Sequence, residues 1–162
     1  MSTVELKKLR KIQDILKISG TAVIVFGIWS IFKAVISFVL GTDTNIDFGL
    51  DAFKEMDSVL DIFVLAIVLI FMVLDLILRL YVGLSAGAES RGKNKGAAYI
   101  VIAIILTLLS MTGIAGIFLR KMNVPDMIVS LFIEMTSLYA FIELIVSAII
   151  LKRYRKILKK AG

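Results

Sequence analysis

Six charged side chains sit inside long apolar stretches of this sequence: Lys33, Asp61, Asp75, Arg79, Glu134 and Glu143. A charge at the centre of a membrane-spanning helix costs roughly 2.5–3.5 kcal/mol on insertion scales, so each one needs a physical reason to be there. The available reasons are few: an opposite charge, a water-filled cavity, a bound ion or a carried proton. Four of the six are carboxylates and two are cations. The excess negative charge must be protonated or matched by a cation from outside the set. Ion or proton binding is therefore the chemistry this pattern points to. Other chemistry is poorly supplied. There is no Cys and no His, which removes thiol nucleophiles, imidazole bases and the usual transition-metal ligands. Walker A, HExxH, GxSxG and dinucleotide-binding patterns are all missing. The expectation is a protein that is not an enzyme and that carries no metal centre and no cofactor.

Four apolar stretches must position these residues. They cover 18–40, 59–83, 97–119 and 127–151, each 23 or 25 residues long. About 20 residues cross a hydrocarbon core as a helix. The apolar set AVILMFWYC supplies 59% of the 162 residues, against about 45–50% in soluble domains even when Gly is counted. Mean hydropathy is +0.97. That composition excludes a disordered chain, a collagenous chain and an ordinary soluble enzyme. No alternation of short strands supports a barrel. The expected fold is an all-α membrane protein: one domain, a four-helix transmembrane bundle. Residues 4–17 precede it as an amphipathic interfacial helix, with Leu6, Leu9, Ile12, Ile15 and Leu16 on one face and Lys7, Lys8, Lys11 and Asp14 opposite. The first stretch reads as a retained span, because its apolar run is long and no A-x-A site follows it.

Depth along the spans sorts the six charges. At about 1.5 Å per residue, Lys33 and Glu134 each lie about 10 Å below the outer face, and Asp61 about 3 Å. Asp75 and Glu143 lie about 12 Å above the inner face, and Arg79 about 6 Å. Lys33 and Glu134 are expected to form an outer-layer ion pair, with Asp61 near the same rim. Asp75 and Arg79 are four apart on one helix and can pair directly. Glu143 is level with Asp75 and could share Arg79. The Asp75–Arg79–Glu143 layer is the expected intramembrane polar site. Hydroxyls of Ser130, Thr136, Ser137, Tyr139 and Ser147 lie along the fourth span, where bonding to the local backbone is their ordinary use. Gly20, Gly27, Gly113 and Gly116 read as places where helices approach closely.

Basic residues fix the expected orientation. The N-terminal arm, the 85–96 connection and the C-terminal tail carry 14 Lys and Arg, while the opposite side carries Lys54, Arg120 and Lys121. Both termini are then cytoplasmic, in the cell membrane. The net charge of +6 sits beside the spans, so anionic lipid headgroups are the expected partner and nucleic acid is not. Lys7, Lys8, Lys11, Lys152, Arg153, Arg155 and Lys156 are the expected headgroup contacts. The connection SAGAESRGKNKG reads as a flexible loop. Pro125 starts the fourth helix, which makes spans three and four a tight hairpin. In the acidic 41–58 segment, Asp43, Asn45 and Asp47 open like a calcium loop. Phe48 replaces its Gly, and Lys54 replaces its closing Glu, so an EF-hand is rejected. Shifting the second span by 73 residues aligns Asp61 with Glu134 and Arg79 with Lys152. The other two spans do not follow, so no internal repeat is inferred.

Two function classes remain in front. One is an oligomeric transporter or channel that moves a cation or a proton-coupled solute past the carboxylates. The other is a non-catalytic scaffold or accessory subunit whose intramembrane charges pair with a partner protein. Partners are accordingly a second copy of the chain or another membrane subunit.

Overall fold

The computed structural model describes residues 3–40, 59–119 and 124–161. They form four α-helices: α1 (Thr3–Leu40), α2 (Val59–Ser90), α3 (Ala98–Leu119) and α4 (Val124–Ala161). There is no strand among the described residues. Each helix holds a segment long and apolar enough to cross a membrane, namely Leu6–Phe32, Leu69–Ser90, Ala98–Phe118 and Met127–Ile157. Four such helices mark a multi-pass membrane protein.

Three of the helices outrun their apolar stretches. α1 is continuous from Thr3 to Leu40, so residues 4–17 are its opening turns and not a separate interfacial element. No Gly or Pro interrupts the chain before Gly20, and its Leu, Lys, Arg, Glu and Gln residues all favour helix. Leu9, Ile12 and Leu16 pack onto the core instead of lying against lipid. Lys7, Lys8 and Lys11 stay exposed. α2 likewise runs beyond Gly83 to Ser90. It ends in a Schellman turn, with Lys93 N donating to Ala88 O at 3.2 Å and Gly92 N to Glu89 O at 3.1 Å. Gly92 has φ +90°, a value that glycine adopts without a Cβ penalty. The loop expected from residue 85 is thus helix for its first half. α4 carries Pro125 in its first turn, where a missing N–H costs nothing.

α1 packs on α2 and α4, and α3 closes the ring on the far side of both. Chain order alternates up and down, so ring neighbours are antiparallel. Buried apolar side chains, among them Leu16, Val82, Tyr99, Leu106, Phe141 and Leu144, cluster toward the end that holds both termini and the α2–α3 connection. This end is also the basic one. Farther toward the opposite end, α2 exposes Leu69, Ile70, Phe71, Val73 and Leu74 in near succession. More than a full helical turn is bare there, which is tolerated where the solvent is hydrocarbon.

Candidate functional site

Among the described residues, charged and hydroxyl side chains meet in three layers. In the first, Arg79 Nε donates to Asp75 Oδ2 at 2.7 Å. The two residues face each other because four positions make one turn. The rest of the guanidinium turns into the bundle. Nη1 reaches Ser137 Oγ of α4 at 3.4 Å, and Cζ stands 5.4 Å from the centre of the Phe141 ring. Gly27 of α1 makes room for this side chain, since a Cβ there would lie 3.0 Å from Arg79 Cδ.

The second layer is nearer the basic end. Ser19 of α1 is buried and donates through Oγ to Glu143 Oε2 at 2.7 Å. No ion pair joins Glu143 to Arg79 among the described residues. Helix geometry explains the difference from the expected sharing. Arg79 engages α4 at Ser137, six residues from Glu143 and so about 9 Å along the axis. Between the layers, α1 and α2 come into backbone contact at Gly20 and Gly83. A Cβ on Gly83 would lie 2.5 Å from Gly20 O.

The third layer is one that sequence reasoning misses. Glu89 is 0% exposed and sits in the stretch that reads as a flexible loop. Arg155 Nη1 lies 3.5 Å from its Oε1, and Lys152 Nζ lies 3.7 Å from its Oε2. Both cations also bond main-chain oxygens at the end of α2 and in the α2–α3 connection. Arg155 Nη2 donates to Glu89 O at 2.6 Å and Nη1 to Lys93 O at 3.4 Å. Lys152 Nζ donates to Lys95 O at 2.7 Å and Gly96 O at 2.9 Å. Its ammonium stands 5.4 Å from the Tyr99 ring centre. The Tyr99 hydroxyl lies beside the Glu89 carboxylate. Cations at the C-terminal end of α2 also meet the negative end of its dipole. The small residues Ala86, Gly87 and Ala88 are the signal available in the sequence, since they suit a close-packed helix as well as a loop.

Of the expected headgroup contacts, Lys7, Lys8, Lys11, Arg153 and Lys156 are exposed. Lys152 and Arg155 point inward to Glu89 and the connection instead. The side chains of Lys33 and Asp61, and with them the expected Lys33–Glu134 pair, fall outside the described residues. Glu134 itself is half-buried and engaged. The 41–58 segment with Asp43, Asn45 and Asp47 also falls outside them.

The layers differ in what they can do. Asp75 has a cation, and Glu89 has two. Glu143 has a hydroxyl, a partner that is neutral and can accept as well as donate. A carboxylate in that setting can hold a proton or a small cation without breaking an ion pair. Comparison with known protein families, curated proteins and solved structures gives no match to this chain.

Proposed function

We propose that this chain is a multi-pass protein of the cell membrane, with both termini cytoplasmic, that acts as an oligomeric transporter or channel for a cation or a proton-coupled solute. The observation that carries this reading is the Ser19–Glu143 contact: a carboxylate in the α1/α4 seam bonded to a neutral hydroxyl. Intramembrane carboxylates in such a position take up protons or cations. The Asp75–Arg79 pair adds a second polar layer at another depth of the helices. Close contact at Gly20 and Gly83 leaves little width inside one copy, which favours a path between copies. Anionic headgroups meet the exposed Lys7, Lys8, Lys11, Arg153 and Lys156.

Glu143→Gln tests the role of the carboxylate. It keeps the shape and a bond to Ser19 but removes the titrating group. In proteoliposomes it abolishes pH- or cation-dependent flux while unfolding stays close to wild type. Unchanged flux, or a wild-type protein that passes no ion tested, sinks the reading.

Orientation has its own test. The chain is free of Cys, so single cysteines can be introduced without background. Asn94 is exposed in the α2–α3 connection and suits labelling. A membrane-impermeant maleimide added to intact cells labels Asp51→Cys and spares Asn94→Cys. The reverse pattern overturns the topology.

A second reading draws on the same seam. Closed packing at Gly20 and Gly83, with Asp75 already matched by Arg79, also suits a scaffold or accessory subunit. Absence of flux in the wild type would select it.

A further inference from the structure

The Asp75 carboxylate of the first layer also has a side turned away from the bundle. A groove of about 330 Å³ runs between α1 and α2, lined by Ser30, Ile31, Phe71, Met72 and Asp75. Among the described residues its lining comes from α1 and α2 alone, so it opens outward. Its carboxylate is the Asp75 side chain, 34% exposed. Arg79 Nε binds Oδ2 and is the donor that the described residues bring to this group.

Depth makes this exposure costly. Asp75 lies inside the apolar segment Leu69–Ser90 of α2, six residues from its Leu69 end, or about 9 Å along the helix. Water is scarce at that depth and lipid tails carry no hydrogen-bond donor. An acceptor left open to hydrocarbon calls for a donor from another membrane helix.

We infer that the α1/α2 groove around Asp75 is the docking face for a second copy of this chain. The choice of occupant follows from what shares the groove. Ser30 offers a hydroxyl donor and Asp75 an acceptor on one continuous patch. A twofold contact brings each patch against itself, so donor meets acceptor twice. Ser30 of each copy then donates to Asp75 of the other, on the carboxylate's open side. The surroundings fit the same geometry. Phe71, 65% exposed, forms a ridge beside the groove, and Met72 is a side chain that adapts to an incoming surface. This proposal rests on the membrane reading of the fold. It is independent of flux through Glu143.

Dimer formation is read directly in liposomes. Two populations labelled with donor and acceptor dyes are mixed and the protein-to-lipid ratio is lowered stepwise. The wild type shows energy transfer that falls along a dimer–monomer curve. Ser30→Ala, which leaves the Asp75–Arg79 pair intact, weakens the dimer roughly five- to tenfold, the scale of two intramembrane hydrogen bonds. Asp75→Asn weakens it as well. In the Cys-free background, Phe71→Cys cross-links with a short bismaleimide. Phe132→Cys on α4, at a position 72% exposed, does not. A monomer at every dilution overturns the proposal. So does equal cross-linking at both positions, or a dimer indifferent to Ser30→Ala and Asp75→Asn. Because the assay measures association and not flux, its failure and the failure of the transport reading are separate results.

Discussion

Glu89→Ala is expected to destabilise the fold by roughly 3 kcal/mol, near the lower end of the 3–5 kcal/mol seen when one partner of a buried ion pair is removed. The cost comes from what is left behind. Lys152 and Arg155 converge on Glu89 within 3.7 Å and 3.5 Å, and without it two cations remain at the packed end of the bundle with no counter-charge. Main-chain bonds hold the loss to the lower end: Arg155 keeps the main-chain oxygens of residue 89 and Lys93, and Lys152 keeps Lys95 O and Gly96 O. Glu89→Gln restores shape and some hydrogen bonding but not charge, so it falls between alanine and wild type. The double change Glu89→Met with Lys152→Met recovers part of the loss, because a buried pair replaced by apolar groups of similar volume is often close to neutral. Equilibrium unfolding in mixed micelles measures the ranking. Hydrogen exchange measures its location: residues 91–97, tied to α4 through these side chains, exchange faster in Glu89→Ala. A loss below about 1 kcal/mol, the upper range for exposed pairs, with unchanged exchange would mean that the cluster is solvated and holds nothing.

Glu89 also marks where the sequence stops being informative. Apolar length identifies all four helices, because the need to satisfy every backbone group in hydrocarbon leaves helix as the solution for such runs. Length does not say where a helix ends. Hydrophobicity stops at the membrane boundary, whereas helix propensity continues through KKLRKIQDILK at one end of the chain and LKRYRKILKK at the other. The glycines of SAGAESRGKNKG look alike in sequence, but Gly92 is the one with positive φ, so the turn falls five residues after Gly87. A Glu that sequence pattern assigns to a loop is therefore a buried Glu at a helix end.

The charged layers show a similar division. Asp75 and Arg79 are neighbours on one helix, and their spacing alone predicts the contact. The partner of Glu143 depends on which helix stands beside α4, and depth matching cannot choose among neighbours. Ring order puts α1 there, and Ser19, a residue with no charge to draw notice, takes the bond. The seam that sets this order uses Gly83, which ends an apolar run and in sequence looks like a terminator. Gly20 and Gly27 are visible as small residues on α1, but nothing in their spacing names the facing position.

Gly83→Ala is the sharpest test of that seam. A Cβ on Gly83 would lie 2.5 Å from Gly20 O, 2.5 Å from Ile24 Cγ1 and 2.8 Å from Ile24 Cδ1. Ile24 can change rotamer, but the carbonyl of Gly20 belongs to the α1 backbone and cannot retreat alone. The helices must separate along the seam, and the cost is expected in the range of about 1–3 kcal/mol for an overpacked core position. Separation carries further, because the Gly27–Arg79 contact lies on the same pair of helices. Gly20→Ala is milder, its Cβ meeting Ala86 Cβ and Gly83 O at 3.0 Å each. Gly27→Ala is milder again, since Arg79 Cδ at 3.0 Å belongs to a flexible side chain. At Gly113 and Gly116 in α3, an added methyl would meet nothing within 4 Å. Alanine there removes only the entropic cost of glycine in a helix and stabilises by roughly 0.5–1 kcal/mol. Five single substitutions of the same chemistry thus divide by sign, and unfolding measurements in one detergent compare them directly. If Gly83→Ala behaves like Gly113→Ala, α1 and α2 do not meet backbone to backbone.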